Sequence, residues 1–234
     1  AMIALSAVLL IIQFGFDVTL LKENKTYLII QIMSSFVIAF TAFFVRYMFE
    51  QFGKIKCLCV EDTEKMSNLL ESDYELIRRL QAFSANLFIH SMRVSVMSMR
   101  VSQKMGYNSL LAKAGGMYHE IGRIKKEENY VEATNDIAYA YDFPKCLTDL
   151  ILQVCDKDEK PESREAMVVM LSDSIVSMIE YFEKNTDKSR PSKEKLIESV
   201  FANRQKKGNF DNCDISEKEI EGIKETYKNI NMDF

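Results

Sequence analysis

A chain of 234 residues with 30 Lys and Arg against 34 Asp and Glu carries a net charge of −4, and it has no long basic run or aromatic-basic patch. That makes a nucleic acid polymer a poor partner, because such binding rests on clustered cations. Eight Gly and three Pro are too few for an all-β fold, and five Cys with only two His and no Cys-x-x-Cys pair argue against a structural zinc site.

The hydrophobic residues, 47% of the total, are unevenly distributed. Residues 26–45, TYLIIQIMSSFVIAFTAFFV, carry no charge over the length of about 20 residues that a helix needs to cross a bilayer. Arg46, Lys54 and Lys56 follow, so the positive-inside rule puts the rest of the chain in the cytoplasm. Residues 2–16 are also uncharged, but Asp17 precedes Leu20 and Leu21 and makes this the weaker span. Lys22, Glu23, Asn24 and Lys25 supply the tight outer turn between the two. The first segment lacks the basic start and small-residue cleavage site of a secretory signal peptide. Residues 1–49 therefore read as a hydrophobic, transmembrane helical hairpin, which places the protein in the cell membrane. The competing reading is two buried helices of a soluble protein. A cytoplasmic domain agrees with five thiols left reduced.

Residues 50–80 read as a juxtamembrane connector and helix, and residues 81–234 as a domain built only from helices. Met66 to Phe83 has Leu69, Leu70, Ile77 and Leu80 near helical period, and residues 86–105 continue it through Phe88, Met92, Val96 and Met99. Gly106, Tyr107, Asn108 and Ser109 provide a stop and an N-cap, after which residues 110–121 begin again. Asp142, Phe143 and Pro144 end a short helix and open another over residues 144–154. A charged turn with Pro161 leads to a long apolar helix over residues 164–183. Pro191 and Ser192 open the next helix, and Ser216 with Glu219 forms the capping box of the last. The total is roughly seven helices. The charged residues 184–195 and 204–207 read as solvated surface, or as a face toward anionic lipid headgroups.

Three polar side chains fall on apolar helix faces. His90 lies among Phe88, Ile89 and Met92; His119 lies beside Tyr118 and Ile121 and is followed by Glu120. Asp173 has Val169, Met170 and Val176 at helical spacing. An isolated buried carboxylate is costly unless a cation or hydrogen-bond donors compensate it. A divalent ion held by His90, His119, Glu120 and Asp173 would satisfy all four, and mixed imidazole and carboxylate donors suit Mn, Fe or Zn. Taken singly, each signal is weak: a lone His on an apolar face is more often a satisfied core residue, a mid-helix Asp flanked by serines is as often hydrogen-bonded to neighbouring helices, and adjacent His-Glu pairs are common by chance.

FIHSMRV, LLAKAGGMYHEIGRIKK and SREAMVVMLSDSIVS together resemble the HD-domain metal-dependent phosphohydrolases. Within that superfamily they are most similar to the cytoplasmic domain of the seven-transmembrane HD proteins, the membrane-bound cyclic-di-AMP phosphodiesterases. FEQFGKIK and ESDYELIRRLQAFSANLFIHS before the first histidine, and NFDNCDISEKEIEGI near the end, extend the likeness. The resemblance implies an HD-domain helical bundle. It implies that His90 is the first histidine ligand, His119 the histidine of the HD pair, Glu120 the aspartate of that pair, and Asp173 the late aspartate. It implies that Arg123 and Lys125 contact substrate phosphate.

The same comparison shows departures. The family's second metal uses a middle histidine and a later adjacent pair. Residues 124–144 are shortened and offer no middle histidine, Val154 and Cys155 stand near the adjacent pair, and the chain has no third histidine. The expectation is one metal ion at most. A single ion supplies only part of what a two-metal clamp does. Two readings stay open: a metal-dependent hydrolase of a cyclic dinucleotide or other phosphoester, and an inactive HD module that binds nucleotide or regulates. A homo-oligomer is compatible with either.

Overall fold

Every regular element among the described residues, which are 38–44, 46, 60–156, 160–185 and 191–231 of a computed structural model, is helical. Residues 38–44 and 46 belong to a helix, and the remainder of the expected hairpin lies outside the described residues. Among the described residues no helix is long and apolar enough to cross a membrane. The chain divides into two compact units, Ala1–Cys57 and Leu58–Phe234. The second unit contains α1 (Val60–Leu69), α2 (Glu75–Phe83), α3 (Ala85–Met105), α4 (Ser109–Tyr118) and a 3-10 turn (Ile121–Lys125). It continues with α5 (Tyr130–Ala140), α6 (Lys145–Cys155), α7 (Arg164–Lys184), α8 (Lys193–Lys206) and α9 (Glu217–Asn229).

The caps follow the sequence closely. The Asn108 side chain accepts a hydrogen bond from the Leu111 amide, Ser192 accepts one from Lys195, and Ser216 accepts one from Glu219. Each satisfies an amide that the first helical turn leaves without an intrahelical partner. The expected single helix over residues 66–83 is instead two, α1 and α2. Glu71, Ser72 and Asp73 occupy the break. Short polar side chains compete with the backbone and favour turns, and this stretch has no apolar residue to hold it in the core. Residues 60–65, expected in a polar connector, already form the first turns of α1. Met66, Leu69, Leu76, Ile77 and Leu80 of these two helices are buried in the same core as the rest of the unit.

That core is centred on α7, where Met167, Val168, Val169, Leu171, Ile175 and Val176 are fully buried. Burial of each such side chain contributes roughly 1.5–3 kcal/mol before entropy costs. α3 and α4 pack on one another and both pack on α7. α4 reaches α3 because Gly116 has no side chain: a Cβ there would lie 2.6 Å from the Ser95 Cα and 2.7 Å from its amide nitrogen. α9 is held by Tyr227, fully buried, whose hydroxyl donates to the Val168 carbonyl at 2.9 Å. The result is a three-helix junction whose polar residues meet at one edge of an otherwise apolar core.

Candidate metal centre

His90, Asp173 and Glu180 come together because α3 lies against α7. Asp173 and Glu180 are seven residues apart, two helical turns, and so share one face. His90 Nε2 lies 3.2 Å from Asp173 Oδ1, and its Nδ1 lies 3.2 Å from Glu180 Oε2. One imidazole therefore stands between two carboxylates. Glu180 in turn lies 3.5 Å from the Arg93 guanidinium, which also binds Glu183 at 2.9 Å.

His119 is placed differently. The sequence puts it inside a helix running to residue 121, whereas α4 ends at Tyr118 and His119 with Glu120 forms the turn into the 3-10 segment. This turn uses carbonyls that a helix end leaves without partners. His119 Nδ1 donates to the Gly116 carbonyl at 2.8 Å, and the Tyr130 hydroxyl donates to the His119 carbonyl at 3.0 Å. In the neutral ring the first of these bonds keeps the proton on Nδ1 and leaves a lone pair on Nε2. That nitrogen is buried with no hydrogen-bond partner and lies 3.7 Å from Asp173 Oδ1. The His90 and His119 rings are 5.4 Å apart at their centroids.

Donor atoms of His90, His119 and Glu120 all lie within 4.8 Å of one another, a spacing at which they can hold a metal ion. Asp173 is not one of these three, but its Oδ1 lies 3.2 Å from His90 Nε2 and 3.7 Å from His119 Nε2. The donor chemistry fits a cation. If His90 donates its Nδ1 proton to Glu180, its Nε2 lone pair faces the Asp173 carboxylate, acceptor against acceptor. Only a proton or a metal ion between them makes that arrangement favourable.

The electrostatics agree. Burial pulls the His90 pKa down, but the hydrogen bond and charge of Asp173, with Glu180 and Glu120, outweigh it and leave the pKa raised. Burial alone would raise the Asp173 carboxyl, yet the close approach of the His119 and His90 rings holds it well below the usual carboxylate range.

The centre opens into a cleft of about 1000 Å³. Four cationic side chains, Arg123, Lys160, Arg204 and Lys207, line it against three carboxylates, Glu120, Asp156 and Asp173. In a chain of net charge −4 this is a locally cationic surface that favours an anion. Arg123 forms an ion pair with Glu120 at the cleft edge. Lys125 does not line the cleft: its Nζ lies 2.8 Å from Asp136 Oδ2 and 3.5 Å from Glu127. Val154 and Cys155 do line it. Sequence reasoning missed Glu180, Arg204, Lys207 and Asn209. The signal for Glu180 was its spacing of seven from Asp173. Arg204 gave none, because it sits in a charged run that resembles any solvated face.

Residues 87–178 match the HD domain family, so the chain carries an HD domain. That domain is homologous to the HD domain of the PgpH cyclic-di-AMP phosphodiesterases. Against "Cyclic-di-AMP phosphodiesterase PgpH" of Bacillus subtilis the identity is 21% over 216 residues, covering 70% of this chain and 30% of the relative. The crystal structure of the L. monocytogenes phosphodiesterase PgpH HD domain in complex with cyclic-di-AMP matches with a TM-score of 0.57 at 20% identity, over 66% of this chain and 93% of that one. Ribonuclease Y of Aster yellows witches'-broom phytoplasma is 29% identical over 99 residues, 41% of this chain and 19% of the relative. The chain thus spans 30% of the length of its PgpH relative.

Proposed function

We propose that this protein is a membrane-anchored, metal-dependent phosphohydrolase whose HD domain faces the cytoplasm and cleaves a phosphodiester of the cyclic-dinucleotide class. The observation that carries this reading is the buried, unpartnered Nε2 of His119, aimed at Asp173 beside His90 and Glu120. A buried lone pair of this kind is costly unless it binds something, and the surrounding donors suit Mn, Fe or Zn. His90, His119, Glu120 and Asp173 would hold one ion, which supplies Lewis acidity toward a phosphoryl oxygen and activation of a water for attack on phosphorus.

The chain's own residues would do the rest. The Gly116 carbonyl holds the His119 tautomer, and Glu180 accepts the Nδ1 proton of His90, so both imidazoles present Nε2 inward. Arg123 would neutralise the substrate phosphate at the cleft edge, exchanging its contact with Glu120 for one with the anion. Lys125, engaged by Asp136 and Glu127, has no such role. Val154 and Cys155 on the cleft wall support a single-ion site, since neither position supplies an imidazole.

PgpH, by its name, acts on cyclic-di-AMP, and a related HD domain has been crystallised with that ligand. Both support the substrate class. The uncharged stretch at residues 26–45, followed by Arg46, Lys54 and Lys56, supports the anchor and its orientation. The test uses the full chain in detergent with cyclic-di-AMP and Mn²⁺. The expected result is conversion to the linear dinucleotide, abolished by EDTA and by Asp173→Asn. Binding of cyclic-di-AMP without conversion would replace this reading with that of an inactive nucleotide-binding module.

A further inference from the structure

The cleft has a second wall, opposite in character to the first. It is made by the end of α8 and the turn after it, where Arg204, Lys207 and Asn209 face the cavity. Arg204 is half-buried, and its Nε and Nη2 both donate to one neutral hydroxyl, Ser174 Oγ, at 3.1 and 2.6 Å. It makes no ion pair among the described residues, although it stands next to the residue that follows Asp173. Its fork is therefore held in place without a direct ion pair, with Asp173 as the nearby opposite charge, and guanidinium cannot shed its own charge. Lys207, exposed at the cavity mouth, likewise has no ion pair among the described residues.

Asn209 adds an independent sign of a ligand. It is 8% exposed, and its Oδ1 is buried with no hydrogen-bond partner. Oxygen and nitrogen of such an amide are interchangeable in assignment, so a buried donor is available at the same place. The backbone presets all three residues. The Asn209 amide donates to the Arg204 carbonyl at 3.0 Å and the Gly208 amide to the Gln205 carbonyl at 2.9 Å, the two bonds of a Schellman turn. Gly208 has φ +67, and a Cβ there would come within 2.3 Å of Asp211 Oδ2. A side chain at that position would disturb the turn that aims Asn209 inward.

Two cations without a direct ion pair and one buried amide, gathered at a single turn, suit a phosphate oxygen cluster. We propose that Arg204, Lys207 and Asn209 form a second phosphate subsite, which holds the non-reacting phosphate of a two-phosphate substrate while the other lies at the metal centre. The identity of that substrate rests on the function proposed above. The subsite itself rests on geometry the metal centre does not share. Residues 204–207, which read in the sequence as solvated surface, here supply recognition.

The test is equilibrium dialysis of labelled cyclic-di-AMP against the full chain in detergent and excess EDTA, so that binding is read apart from turnover. Arg204→Met and Lys207→Met should each weaken binding about tenfold. Arg204→Lys should restore part of the loss, and Lys145→Met, at an exposed cation that does not line the cleft, should bind within about threefold of the parent. Lys207 is exposed, so its result is insulated from misfolding. Unchanged binding in both Met variants, or no binding by the parent chain, would overturn the subsite. Binding with this pattern but no Mn²⁺-dependent conversion would leave the subsite standing and remove the hydrolase reading instead.

Discussion

The two walls of the cleft are built from different materials. On one, His119 and Asp173 project from an apolar three-helix junction, with His90 behind them and the donor atoms within a few ångströms. On the other, Arg204, Lys207 and Asn209 come from one helix end and one turn. The first wall requires three helices to dock correctly before any of its chemistry exists. The second is preset by a local Schellman turn, with one contact from Arg204 to Ser174 of α7. The metal centre should therefore respond to changes in helix packing that leave the basic wall intact, and the basic wall should lose ligand without losing metal.

The largest expected effect lies on the first wall. Asp173→Ala removes the carboxylate shared by both histidines and should abolish metal retention and Mn²⁺-dependent hydrolysis together, read by elemental analysis and product formation. Glu180→Gln comes next. It keeps the helix but weakens the acceptor that orients His90, and should lower Mn²⁺ affinity by about 10–100-fold with little change in the fold. If affinity is unchanged, Glu180 is a surface acid and the two-carboxylate clamp on His90 has no function.

Gly116→Ala tests whether helix docking carries the comparison. Its Cβ would meet the Ser95 backbone, which cannot move aside as a flexible side chain can, so urea unfolding should show a loss of about 1–3 kcal/mol. Metal affinity should fall with it, while cyclic-di-AMP binding in EDTA should hold in the fraction that remains folded.

A pH series on metal-free protein gives a smaller effect with a defined sign. The His90 pKa is raised in the folded state, so its contribution is full below the unfolded value of about 6.5 and fades as pH rises through the folded value. Asp173 is depressed, so its contribution is present above its unfolded value and is lost only as pH falls through the folded one. Stability should therefore decline as pH rises above about 6.5, and His90→Gln should flatten that decline. The smallest effect is expected of Lys125→Ala. It removes a side chain turned toward Asp136, so hydrolysis should stay within about twofold of the parent. A larger fall would return Lys125 to the phosphate.

The sequence made one wall readable and left the other almost invisible. His90, His119 and Asp173 could be found because such side chains are costly on apolar helix faces, so each needed an explanation. Their elements were legible for a related reason: Asn108, Ser192 and Ser216 are all caps where short polar side chains predict them. Arg204 and Lys207 could not be found, since a cation on the polar face of a helix is ordinary whether or not a cavity lies beneath it. Glu180 was hidden in the same way beside Glu183 and Lys184. The break between α1 and α2 was missed because apolar spacing on both sides of residues 71–73 stays near a helical period. The position of His119 at a helix end, which fixes its tautomer, depends on a turn that the apolar Ile121 and Ile124 disguise as further helix.

The most direct test of the central claim is a titration of Mn²⁺ into EDTA-treated, dialysed full chain, followed by calorimetry with elemental analysis as a check. One ion per chain, and none in His119→Ala, is the predicted result. No binding by the parent chain, or full binding by His119→Ala, would contradict the centre described here.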